Sequence, residues 1–211
     1  VCTTDRSRIT GHTLLAERAT VNRFCEDSGK RMWAATEKGI FVWKDDAPAG
    51  RLFAGCDVQD IIPLDDDRLL AAVSGRGIFT VSTRDFSSSL YLQPTDSMTA
   101  GALRRPSCLL RRSDGSLWIG TRFDGVVRYE PRQGFRSYTL HSGMASNEIS
   151  DMTEDAIGNV WVSTSYGLSL ISPAFEHVIT YFQSDRLQTQ QFCPHCSLSS
   201  PTALYFGGNT G

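Results

Sequence analysis

Apolar residues in this chain come in short runs cut by polar turns, and no segment keeps a helical period long enough to compete with strands. One arrangement of such runs recurs. An apolar segment, such as Val21–Glu26 or Ile149–Glu154, is followed by a polar turn, such as Ser113-Asp-Gly115 or Ala156-Ile-Gly158-Asn. Next comes a segment headed by an aromatic, then a tight glycine-bearing turn, then glycine and three apolar residues. A Pro/Gly turn leads to an outer strand, expected over residues 135–140 and 178–182. The runs are β-branched and aromatic-rich and bounded by Gly, Asp, Asn and Pro, which predicts strands.

Three copies are clear: Arg31-Met-Trp33-Ala-Ala-Thr-Glu-Lys-Gly39-Ile-Phe-Val-Trp43, Leu117-Trp118-Ile-Gly-Thr-Arg-Phe-Asp-Gly125-Val-Val-Arg-Tyr129 and Val160-Trp161-Val-Ser-Thr-Ser-Tyr-Gly167-Leu-Ser-Leu-Ile171. A degenerate copy around Gly77 has Leu70 in place of the aromatic, and a last one, Leu204-Tyr205-Phe-Gly-Gly-Asn-Thr-Gly211, stops at its own glycine. Gly39, Gly77, Gly125, Gly167 and Gly211 are 38, 48, 42 and 44 residues apart. That period suits a four-stranded propeller blade. The expected fold is all-β: a β-propeller with about four full blades and a partial fifth. The blades fall at 21–57, 58–102 (degenerate), 103–147 and 148–190, with a further one starting at 191–211. Residues 1–20 are expected as the outer strand of a preceding blade. The large aromatics Trp33, Trp118 and Trp161 would fill the space between neighbouring sheets, and glycine would allow a positive φ in each hairpin turn.

Composition changes this picture little. The chain has 211 residues, 40% of them hydrophobic, and a net charge of −2 with both signs interspersed, which disfavours disorder and nucleic-acid binding. Neither a signal peptide nor a membrane span is visible, and both ends read as arbitrary boundaries. The six cysteines are irregularly spaced and leave the compartment open.

Asp114-Gly-Ser-Leu-Trp-Ile-Gly-Thr121, Asp155-Ala-Ile-Gly-Asn-Val-Trp-Val-Ser-Thr164 and the linker His141-Ser-Gly-Met-Ala-Ser-Asn147-Glu-Ile149 resemble the two-component regulator propeller repeat. So does residues 127–138. Gln191-Phe192 with Leu204 to Gly211 resembles the last blade, which precedes an immunoglobulin-like domain. The resemblance spans residues 21–211. It implies a fragment of a seven-bladed propeller, from the periplasmic sensor half of a Bacteroidetes-type hybrid two-component system. Such a parent is membrane-anchored, homodimeric and joined to a histidine kinase outside this chain, and its sensors respond to glycan fragments.

The implied function is non-catalytic recognition of an oligosaccharide, without a cofactor. The alternatives are a carbohydrate-active propeller enzyme, which needs converging carboxylates or a Tyr/His/Arg set, and a protein-interaction propeller, disfavoured by the missing Gly-His and Trp-Asp signature. Ligand contacts are expected on the turns between second and third strands, which cluster at one end of the channel. Those turns carry Lys38, Arg76, Arg122, Phe123, Asp124, Tyr166 and Asn209. Phe123 and Tyr166 could stack on sugar rings, with Arg122 and Asp124 meeting hydroxyls. Arg104-Arg105 and Arg111-Arg112 read as charged strand ends or as grips for an acidic sugar. Cys193-Pro-His-Cys196 lacks the helix that activates a redox thiol and the partner pair a zinc site needs, so a local disulfide or a chance pairing is expected. Asp45-Asp46 and Asp65-Asp-Asp67 read as solvated turn acids rather than a calcium site.

Overall fold

A computed structural model of the chain describes residues 2–5, 8–12, 18–94, 96–172 and 177–209. Thr210 and Gly211, and with them the last turn glycine, lie outside the described residues, as do the side chains of residues 1–17. The described chain is built from antiparallel sheets. A hairpin, β1 (Cys2–Asp5) and β2 (Arg8–His12), comes first. Four four-stranded sheets follow: β3 (Val21–Glu26), β4 (Met32–Thr36), β5 (Gly39–Lys44), β6 (Ala47–Leu52); β7 (Val58–Pro63), β8 (Arg68–Val73), β9 (Gly77–Ser82), β10 (Ser88–Leu90); β11 (Pro106–Arg111), β12 (Leu117–Thr121), β13 (Val126–Glu130), β14 (Gly134–Tyr138); and β15 (Ile149–Glu154), β16 (Val160–Thr164), β17 (Gly167–Ser172), β18 (His177–Tyr181). A last pair, β19 (Phe192–Ser199) and β20 (Leu204–Gly208), closes the described chain. Within every sheet the strands pair in sequence order, the meander of a propeller blade.

The first strands β3, β7, β11, β15 and β19 pack against one another in succession and form the inner wall. Each four-stranded sheet carries a bulge in this strand, at Asn22, Gln59, Ser107 and Ser150. The bulge twists the strand and re-aims its side chains. Here it turns a polar residue toward the next blade: Asn22 Nδ2 donates to the Val58 carbonyl at 2.8 Å, and Ser150 Oγ to the Phe192 carbonyl at 3.0 Å.

The space between sheets is filled by the aromatics. Trp33 is fully buried among Val58, Ile61, Leu69 and Val81 of the next sheet, with Phe86 edge-on at 5.4 Å. Trp118 is fully buried among Met152, Val162 and Ile171, stacked on its own Tyr138 at 5.4 Å. Trp161 stacks on Tyr181 but remains only half-buried. It lines a cavity of about 510 Å3 with Leu168, Leu204 and Phe206, because β19 and β20 bring no third strand against it among the described residues.

The turn glycines work as the pattern requires. Gly39 and Gly125 sit at φ 120 and 75, and a Cβ on either would collide with a carbonyl of the fourth strand, that of Leu52 or Tyr138.

Two differences from the sequence reading have local causes. The connector between the second and third sheets contains a helix, α1 (Ser97–Leu103), in a chain expected to have none. Asp96 caps it, accepting from the Thr99 amide at 2.8 Å. Seven residues are too few to show a period, yet α1 delivers Ala102 and Leu103 to the cluster around Leu70. It thereby helps fill the volume left where Leu70 replaces an indole. The outer strands also end earlier than expected, at Tyr138 and Tyr181, because Thr139 and Phe182 cap single 3-10 turns.

Candidate functional site

A repeated pair of backbone hydrogen bonds builds one face of the molecule. The first residue of each turn between second and third strands donates to the residue just before that sheet's inner strand: Glu37 to Thr20, Ser74 to Asp57, Arg122 to Arg105, Ser165 to Glu148 and Asn209 to Gln191. A second bond ties the turn to the next connector: Gly75 donates to Arg104 at 2.7 Å, Gly125 to Asn147 at 3.0 Å and Gly167 to Gln190 at 2.6 Å, while Gly55 donates to Lys38 at 3.1 Å. Turns and connectors thus alternate in a continuous belt, and every turn residue singled out in the sequence lies on it.

Their environments differ. Phe123 is 62% exposed and Tyr166 55%. The Arg105 guanidinium lies over the Phe123 ring, 5.6 Å from its centroid, and its Nη2 sits 3.1 Å from Asp124 Oδ2. Tyr166 leans against Phe182 at 5.8 Å. Arg122 is exposed and spends one N–H on Gln59 Oε1 at 2.8 Å. Arg76 lies over Phe53 and Phe79, at 5.8 and 5.4 Å, and reaches Cys56 Sγ at 3.5 Å. Lys38 donates to the Arg18 carbonyl at 2.6 Å, and Asn209 is bonded to Gln191 and Thr189. Those two are occupied with holding connectors.

The belt groups Arg76, Arg122, Phe123 and Asp124 at the junction of the second and third sheets, and it adds Arg104 and Arg105. Tyr166 stands one sheet further on. The membership of Arg104 and Arg105 follows from their position immediately before an inner strand, which the chain pattern alone reads as a strand end. Arg112 goes elsewhere. It is 9% exposed, at the opposite end of the sheets, and pairs with Asp114 at 2.5 Å, Glu154 at 2.8 Å and the Gly158 carbonyl at 2.8 Å. It bridges two blades, which corrects its reading as a sugar grip: its donors are taken.

Asp27, Asp114 and Asp155 hold the turns between first and second strands. Asp155 accepts from the Ile157 and Asn159 amides and from the Trp161 indole at 3.0 Å, and Asp27 likewise from the Arg31 amide and the Trp33 indole at 2.9 Å. Burial alone would raise both carboxyls, but these donors, with Arg31 at Asp27, outweigh it and hold both below the ordinary range. Of the acidic runs, Asp65 is held by Arg68 at 2.6 Å and Asp67 by Arg84 at 2.6 Å.

Two buried carboxylates face the inner wall. Asp60 accepts from the Leu109 amide of the next inner strand at 2.7 Å, and Asp151 from the Ser197 amide at 2.9 Å and its hydroxyl at 2.6 Å. Burial raises the Asp60 carboxyl against the opposing pull of His195, Arg23 and the Leu109 amide. Cys193 and Cys196 are free thiols within the long bulge of β19, with His195 between them at φ 54. Burial and the neighbouring Cys193 raise the Cys196 thiol, burial pushes Cys25 up to about 11, and burial raises Cys108 as well. These are the reverse of an activated thiolate. Among the described residues no group of three or more His, Cys, Asp or Glu is arranged for a metal ion, and no helix is long and apolar enough to cross a membrane.

Stacked meander sheets around an inner wall, with one face built of turns and connectors, define a β-propeller module. Residues 143–166, from the linker through β16 to Tyr166, match the family model of the two-component regulator propeller, and the chain carries that repeat. A 92-residue stretch is 28% identical to histidine kinase P4 of Formosa agariphila, covering 43% of this chain and 7% of that protein. The fold is shared with the extracellular domain of a putative hybrid two-component system of Bacteroides thetaiotaomicron, at TM-score 0.78 and 22% identity over 98% of this chain and 29% of that one. A second such domain from the same organism aligns at TM-score 0.71 and 18% identity, over 92% of this chain and 26% of that one. The chain therefore spans less than a third of each of these relatives.

Proposed function

We propose that this chain is a non-catalytic recognition module of an extracytoplasmic sensor, and that it binds an oligosaccharide on the belt face. The observation that carries this reading is the pair of exposed aromatics, Phe123 and Tyr166, fixed on turns that are hydrogen-bonded on both sides. Exposed rings held by rigid backbone offer flat apolar surfaces to pyranose faces, with Arg122 and Asp124 beside them for hydroxyls. Asp60 and Asp151 accept backbone amides across blade seams, which argues against a paired acid and base on the inner wall.

The family repeat and the kinase relative support a place in a two-component system. In that system the module lies outside the cytoplasm, in the periplasm. Its membrane-anchored parent, a homodimer, relays occupancy to a histidine kinase as a shift between two arrangements of the pair. The test is calorimetric titration of the chain with a panel of oligosaccharides, each mixture then analysed for products. Binding without turnover is expected, weakened by Phe123→Ala and Tyr166→Ala. Product formation, or no binding across the panel, sinks the reading.

A further inference from the structure

The junction of the second and third sheets concentrates arginine. Arg76, Arg104, Arg105 and Arg122 come from three segments locked edge to edge by the Gly75 amide on the Arg104 carbonyl, at 2.7 Å, and the Arg122 amide on the Arg105 carbonyl, at 3.0 Å. All four side chains belong to exposed residues. Among the described residues one carboxylate pairs with these four guanidinium groups, Asp124, which faces Arg105. Arg76 spends a donor only on a thiol sulfur and Arg122 only on a neutral amide, and Arg104 has no acidic partner among the described residues. The chain as a whole is at net charge −2, so this row is not a by-product of a basic protein.

Two members of the row are also preorganised. Arg76 is laid over Phe53 and Phe79, and Arg105 over Phe123, by cation–π contacts. Guanidinium groups held flat with free N–H forks suit planar or tetrahedral oxyanions, which they meet in paired hydrogen bonds. Rings that already hold Arg76 and Arg105 lower the entropy these two lose on binding.

We infer that the Arg76–Arg104–Arg105–Arg122 row binds the carboxylate or sulfate groups of an acidic oligosaccharide, with Phe123 beside it for a sugar ring. This rests on the reading of the belt as a saccharide-binding face and adds the charge class of the ligand. An uronate and a sulfate ester offer the same oxyanion chemistry, and separate probes distinguish them.

The test titrates the chain at low ionic strength with four probes: neutral maltohexaose, hexagalacturonate, sulfated maltohexaose and a linear polyphosphate of matched charge. At least one charged saccharide is expected to bind about tenfold or more tighter than maltohexaose, the gain of one charge-assisted pair. That advantage shrinks as salt is raised. The tighter of the two charged saccharides identifies the anion. Arg76→Gln combined with Arg104→Gln, both at exposed positions, is expected to lose most of the advantage while maltohexaose affinity falls less. Charged saccharides no tighter than maltohexaose, polyphosphate as tight as both, or an advantage kept by the double variant each overturns the inference. If maltohexaose alone binds, the saccharide reading stands and this inference falls. If no saccharide binds, the saccharide reading falls with it.

Discussion

At the scale of single residues, one carboxylate does two jobs. Asp27 and Asp155 each close a turn through backbone amides and anchor a tryptophan through its indole N–H. Both carboxyls are held below the ordinary value of 3.8. A depressed carboxyl contributes stability that is present above the unfolded value and is lost as pH falls through the folded one. Asp27→Asn and Asp155→Asn should therefore lower the urea midpoint at pH 7, and the gap to wild type should narrow below pH 3.8, toward the depressed folded values. A gap that stays constant with pH would show that the charge is immaterial. Trp33, Trp118 and Trp161 are legible in the sequence because each heads a strand at a fixed distance from a glycine. The roles of Arg105 and Arg112 are not, because they depend on partners distant in sequence: Asp124, 19 residues further along in the same sheet, and Glu154, 42 residues further along in the next.

At the scale of the elements, the sheets are alike in strand order and differ in their seams. Trp118 is covered by β15, β16 and β17 of the next sheet, whereas on that side Trp161 has, among the described residues, only the β19–β20 pair beside an open cavity. Trp118→Ala should cost about 3–5 kcal/mol, as for a buried aromatic, and Trp161→Ala at least about 1 kcal/mol less, in denaturant unfolding. Equal losses would mean that the cavity beside Trp161 is filled in solution. Meander order was readable from turn chemistry and apolar alternation. Helix α1 was not, since seven residues are too few to show a period and, beyond its local cap at Asp96, what it packs into is a tertiary gap beside Leu70.

At the scale of the whole molecule, the larger contacts between sheets among the described residues join neighbours along the chain, and the buried clusters are separate. Trp33 belongs to the cluster of the first and second sheets, Trp118 to that of the third and fourth. In such an array, energies are local. The destabilisation of the Trp33→Ala, Trp118→Ala double variant should equal the sum of the two singles within about 0.5 kcal/mol, as for distant independent sites. A larger coupling would show that strain passes through the second sheet. The propeller class and the turns that build the belt were visible from the period, but the grouping of Arg76 and Arg122 with Arg104 and Arg105 was not, because it depends on which turns and connectors are bonded side by side. The seam bonds of the inner wall have one more consequence. Asn22 reaches forward to Val58, Asp60 to Leu109, Ser150 to Phe192 and Asp151 to Ser197, so the first, second and fourth sheets offer ready anchors to the strand that follows each of them. A chain that emerges amino end first would meet those anchors in the order they are made, each offered by a sheet already in place.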